Sequence, residues 1–101
     1  MLIYEVNLRV DEEVAEAFAA WLRAHMREML AFDGFEEARW YRLEPDTPGQ
    51  VRWTTHYHVQ NAESLDTYLR DHAAAMREDG LKRFGGKFSA DRRILEEEAR
   101  F

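Results

Sequence analysis

The chain has 101 residues, 46% of them hydrophobic and 34% charged, with only two prolines; this describes one globular domain with a single core and not a disordered or fibrous segment. A net charge of −6 argues against nonspecific binding to nucleic acid or to an anionic membrane surface. With no cysteine there are no disulfides, thiolate metal sites, iron–sulfur clusters or cysteine nucleophiles, and a cytoplasmic location fits.

The first ten residues alternate, with Leu2, Tyr4, Val6, Leu8 and Val10 on one side and Ile3, Glu5, Asn7 and Arg9 on the other, which predicts a strand with one buried face. The early Glu5 leaves no room for the apolar core of a signal peptide. Asp11, followed by Glu12 and Glu13, stands where a carboxylate accepts amide hydrogen bonds at the start of a helix. That helix carries the stripe Val14, Phe18, Trp21, Leu22, Met26, Met29 and Leu30 and stops at Asp33-Gly34. The longest apolar stretch, Ala17 to Leu22, falls far short of the roughly 20 residues that cross a bilayer.

Phe35 to Leu43 reads as a second strand, with Ala38 and Trp40 on one face and Glu37, Arg39 and Tyr41 on the other. The turn formers Glu44 to Gly49 make a hairpin loop. Val51 to Gln60 alternates Val51, Trp53, Thr55, Tyr57 and Val59 against Arg52, Thr54, His56, His58 and Gln60, a third strand. Asn61 opens a second helix with Leu65, Tyr68, Leu69, His72 and Met76 on one stripe, which Gly80 is expected to interrupt. After Gly85-Gly86, Phe88, Ala90, Arg92 and Ile94 alternate with Ser89, Asp91, Arg93 and Leu95 in a last strand, and Glu96 to Phe101 is a charged tail.

The order β-α-β-β-α-β over residues 1–101, with no linker or repeat, is that of a single α+β domain of the ferredoxin-like plan: a four-stranded antiparallel sheet of order 4-1-3-2 with two helices on one face. The other sheet face is then open and polar. It carries Arg39, Tyr41, Arg52, His56, His58 and Arg93 among others, and is the leading place for a small acidic or aromatic ligand or for a two-fold contact with a second copy.

The run His72 to Gly85, followed by Phe88 and Arg92-Arg93-Ile94-Leu95-Glu96, resembles domain-of-unknown-function family 4286, as do the opening Ile3-Tyr4-Glu5-Val6, Trp21-Leu22, His25, Phe35 and Ala38-Arg39. This family looks like a member of the dimeric α+β barrel superfamily, which contains antibiotic-biosynthesis monooxygenases, haem-degrading enzymes and members without known activity. The resemblance implies a ferredoxin-like homodimer and no particular reaction, so whether the chain is an enzyme stays open.

Each candidate group has two readings. His56 and His58, two apart on a strand, leave one face about 7 Å apart, a spacing metal sites use, but a third ligand is required and a solvated or hydrogen-bonded pair is the commoner outcome. No metal is therefore assigned. Arg39, Arg52 and Arg93 could clamp a carboxylate or phosphate with Tyr41 supplying a hydroxyl, or could pair with Glu5, Glu37 and Asp91 across strands. His25 and His72 share the core-facing phase of their helices, as partly buried structural groups or, given a cavity between helices and sheet, as proton-transfer groups or haem ligands. Trp40 and Trp53 have core phases. Arg92 also falls in the core phase, so either its stem snorkels at the sheet edge or the register slips by one.

Signals for other chemistry are absent. There is no phosphate loop, no nucleophile elbow, and no aromatic platform for RNA on the third strand. A homodimeric binding domain, a cofactor-independent oxygenase and a haem-handling protein remain as readings, with no cofactor named by the sequence itself.

Overall fold

The structure, a computed structural model, describes residues 1–101. Strands β1 (Leu2–Asp11), β2 (Phe35–Leu43), β3 (Gln50–Val59) and β4 (Phe88–Glu96) alternate with helices α1 (Ala15–Met29), α2 (Ala62–Asp71) and α3 (Ala73–Phe84). All strand pairs are antiparallel and the sheet order is β2-β3-β1-β4, the expected 4-1-3-2 read from the other edge. No helix is long and apolar enough to cross a membrane.

The core follows from the alternation. Tyr4, Leu8 and Val10 of β1 and Trp53, Tyr57 and Val59 of β3 meet Phe18, Leu22, Met26 and Met29 of α1 and Leu65 and Tyr68 of α2. Each such side chain contributes about 1.5–3 kcal/mol by leaving water. On β2, Phe35 is buried in this core while Glu37 pairs with His58 on the opposite face, and a register shift between Phe35 and Glu37 absorbs the change of side.

Three local expectations are corrected. Asp11 does not cap α1: it remains in β1, and its carboxylate accepts from Gln50 Nε2 at 3.2 Å across the β1–β3 pair. A 3-10 turn, Glu12–Val14, then leads into the helix. The second helical segment breaks at His72 (φ −128°, ψ −26°) and not at Gly80. His72 at that junction is exposed and lies against Phe32, with ring centroids 4.7 Å apart, so it does not face the core.

Gly80 has another task. It lies inside α3, and a Cβ there would sit 2.8 Å from the Trp21 ring. Trp21 is itself fixed by its indole N–H donating to Asp79 at 2.7 Å and by edge contact with Phe18, so the ring has little freedom to move away. Gly80→Val is therefore expected to lower stability by about 1–3 kcal/mol through overpacking, measurable as a lower urea midpoint. The helix itself ends at Gly85, whose φ of 47° suits glycine.

Candidate functional site

Antiparallel register sets the open-face side chains in transverse rows. One row runs Arg39, His56, Glu5, Arg93 from edge to edge. Glu5 at its centre is only 4% exposed. It accepts hydrogen bonds from Arg93 Nε and from Asn7 Nδ2 at 2.9 Å, and lies 2.9 Å from His56 Nε2. Burial alone would raise the Glu5 pKa, but the hydrogen bonds from Arg93, Asn7 and His56 together outweigh it and hold the carboxyl below its ordinary value.

The neighbouring rows are paired in the same way. Arg39 Nε donates to Glu37 at 2.8 Å, and His58 Nδ1 stands 3.9 Å from the same carboxylate. Arg9 and Arg52 both reach Asp46 from the hairpin loop, at 2.7 and 3.7 Å, and Arg52 also donates to the Glu44 carbonyl at 3.0 Å. The Tyr41 ring meets His56 edge-on at 5.3 Å. The six open-face residues singled out in the sequence, Arg39, Tyr41, Arg52, His56, His58 and Arg93, thus share one surface, and each of its arginines already has a carboxylate partner. His56 and His58 turn to different carboxylates, and no group of three His, Asp or Glu side chains is placed to hold a metal.

The other face of the same sheet holds the less expected feature. In the row Trp40, Thr55, Val6, Arg92, the two central side chains are short, while the flanking rows carry Tyr57 and Tyr4 on one side and Trp53 and Leu8 on the other. The short pair leaves a hollow beneath α1. It encloses about 50 Å³ and is walled by Phe18, Trp21, Leu22, His25, Met29 and Tyr57, with Tyr68, Arg77 and Arg92 also reaching it. A second hollow of about 240 Å³, floored by Leu69 and Ile94, lies outside and shares Tyr4, Arg77 and Arg92 with the first. The two arginines therefore stand at the mouth between an inner chamber and the outer surface.

The register through Val6↔Arg92 shows no slip at Arg92. Its stem lies at the edge strand while its charge is felt by His25, Tyr57 and Tyr68, so the snorkelling side chain folds over the chamber. Arg77 Nη2 donates to the Tyr4 hydroxyl at 2.8 Å, but its Nε is buried with no partner. An unsatisfied buried donor of this kind costs about 1–3 kcal/mol.

Titration is displaced at three groups lining the chamber, His25, Tyr57 and Tyr68. Burial pushes His25 down to about 4, with Asp79 opposing and Arg92 adding to the shift. The ring is thus neutral at pH 7, stacked on Trp21 with centroids 4.7 Å apart. Burial pushes the Tyr57 phenol well above its usual range, against the hydroxyl of Thr55, and raises Tyr68 to about 12. His25, expected as a partly buried structural or functional group, belongs to this chamber. Tyr57, Tyr68 and Arg77 were not singled out from the sequence as site residues; the traces of their site there were the core phases of His25 on α1 and of Arg92 on β4.

The family described as Domain of unknown function (DUF4286) matches residues 1–98. No protein with a curated description matches the sequence. Among solved structures, a protein from Deinococcus radiodurans with the provisional description antibiotic biosynthesis monooxygenase is 18% identical over 100% of this chain and 96% of its own, at a TM-score of 0.76. A mutant of SnoaB, a cofactor-independent oxygenase from Streptomyces nogalater, is 9% identical over 98% and 95%, at 0.71. An ethyl tert-butyl ether D family protein from Bacillus halodurans is 21% identical over 96% and 99%, at 0.67. At these identities the likeness shows a shared ferredoxin-like fold and no shared chemistry.

Proposed function

The chain belongs to the DUF4286 family, and from that premise we propose that it is a homodimeric small-molecule-binding domain, with the open sheet face as the contact between copies and the helix–sheet chamber as the ligand site. The observation that carries the reading is the chamber itself: apolar and aromatic walls with a few convergent polar groups of displaced pKa, the usual make-up of a ligand site. At about 50 Å³ it is a seed that a single aromatic ring enlarges by moving flexible lining such as Met29.

The dimer contact is favoured by charge. On the open face Arg9, Arg39, Arg52 and Arg93 are matched by Glu5, Glu37, Asp46 and Asp91, so two such faces meet without the repulsion that a net charge of −6 implies for the rest of the surface. The same pairing gives each guanidinium there a carboxylate partner already, with which an acidic ligand would have to compete. We therefore read Arg39, Tyr41, Arg52, His56, His58 and Arg93 as fixing the contact, with the ligand on the other side of the sheet.

A cofactor-independent oxygenase, as SnoaB is described, is the second reading, because His25 faces the chamber. Binding is the better supported of the two. A general base works best with a pKa near the operating pH, and His25 at about 4 and Tyr68 at about 12 both lie far from it. A haem-handling role has less support: as it stands the chamber is several-fold smaller than the roughly 300–1,000 Å³ of a cofactor-sized pocket, His72 is exposed, and His56 is bound to Glu5.

Phenol titrated into protein labelled with fluorotryptophan tests the reading. Of the three tryptophans, Trp21 lines the chamber, so its fluorine resonance is expected to move most and to saturate. Absence of a saturable shift, or sedimentation as a monomer, would remove the corresponding half of the proposal.

A further inference from the structure

The chain holds 20 acidic residues against 14 lysines and arginines, yet no acidic side chain lines the chamber or its mouth. Arg77 and Arg92 both reach it, and neither has a carboxylate partner within salt-bridge distance, whereas Arg93 beside them is taken by Glu5 on the opposite face. Two guanidinium groups at the rim of an aromatic chamber, one with a buried unpartnered Nε, are a cationic pair without a counter-ion.

We propose that Arg77 and Arg92 form a carboxylate clasp at the mouth of the chamber, so that the ligand is a small aromatic carboxylic acid with its ring against Phe18, Trp21 and Tyr57 and its carboxylate between the two guanidiniums. The proposal rests on the chamber being the ligand site and adds the class of ligand. The fit is chemical as well as geometric. Arginine's forked donors match a carboxylate two bonds at a time, and Arg77 keeps one donor on the Tyr4 hydroxyl while its Nε stays free to turn to the ligand. Arg92 rises from the edge strand β4, where the long stem can swing to admit the ligand and close behind it. Away from this mouth and the charge-matched open face, the net charge of −6 disfavours the same anion, so the clasp selects the mouth as its point of entry.

Phenylacetate and its neutral counterpart phenylacetamide separate the clasp from the chamber. Both are titrated into full-length protein and into Arg92→Gln and Arg77→Gln, with dissociation constants from calorimetry and the Trp21 fluorine resonance as the reporter of location. The wild type is expected to bind the acid at least about tenfold more tightly than the amide, the advantage of charge-assisted bonds. Arg92→Gln is expected to erase most of that difference by weakening the acid far more than the amide. Arg92 is exposed, so this variant keeps the fold even if Arg77→Gln, which removes the bond to Tyr4, does not. Equal affinity for acid and amide in the wild type, or an acid affinity indifferent to Arg92→Gln, would overturn the clasp and leave the chamber standing. If neither compound moves Trp21, the chamber reading fails and the clasp with it.

Discussion

Replacing Phe18 by alanine is expected to cost about 3–5 kcal/mol, which is a large part of the roughly 5–15 kcal/mol that holds a domain of this kind together. Phe18 is fully buried and lies against Trp21, Trp53, Phe84 and Phe88, with ring centroids between 4.9 and 6.3 Å. It joins α1 to β3, to the end of α3 and to β4 at once. The lost ring removes apolar burial, and because its neighbours are held from several elements, the hole cannot collapse fully. Urea unfolding monitored by circular dichroism measures the loss, with Phe101→Ala as a control, since that side chain is fully exposed. The truncation also enlarges the chamber that Phe18 lines, so benzene or phenol is expected to restore part of the stability by occupying it. A loss below about 1 kcal/mol would mean that the core is not built around this ring.

The second large effect is a dependence on pH set by His25. Its folded pKa is about 4 against an ordinary 6.5, so between those values the unfolded chain holds a proton that the folded chain does not. Stability is therefore unaffected by this group above pH 6.5 and falls as the pH drops from 6.5 towards 4, by about 3 kcal/mol over the window. The depressed carboxylates act lower on the scale. Glu5 and Asp79, held below 4.5 and 3.8 by their hydrogen-bond partners against the opposing cost of burial, contribute above those values and lose that contribution only as the pH falls through their folded pKa. Chemical denaturation at intervals from pH 7.5 to 4.5 is expected to show the slope in the wild type and to show it largely removed in His25→Gln. The comparison rests on the slopes, so any constant loss from the substitution itself drops out. Parallel slopes would contradict the burial of His25.

Much of this architecture was legible in the residue pattern because the period-two alternation of β1 and β3 is nearly unbroken. Their register, Glu5↔His56 and Val6↔Thr55, follows once Gln50 to Asp11 are joined at one end, and it sets the open-face row of Arg39, His56, Glu5 and Arg93. The features that escaped depend on contacts distant in sequence. Gly80 looks like a helix breaker on local propensity, and only the Trp21 ring, 59 residues earlier, explains a glycine inside α3. His72 carries the phase of a core residue, but the helix bends at that point and leaves it outside. Asp11 has the composition of a cap and is instead bound to Gln50 across the sheet.

The chamber was the hardest feature to foresee, since it arises from what is missing. Val6 and Thr55 are ordinary strand residues, and only their adjacency in one row, between rows of tyrosine and tryptophan, produces a hollow. Its visible marks were two polar residues at core phases, His25 and Arg92. A charged residue aimed at helices is an error of register unless there is room for it, and the structure supplies the room. The run from His72 to Glu96, which carries much of the family resemblance, also supplies Arg77, Phe88 and Arg92 of the lining.

The central claim is that the ligand lies between helices and sheet and not on the open face. The most direct measurement is a set of intermolecular nuclear Overhauser effects between phenylacetate and isotope-labelled protein. Contacts from the ligand ring to Phe18, Leu22 and Tyr57 are predicted; contacts to Tyr41, His56 and Leu95 on the opposite side of the sheet would contradict the account.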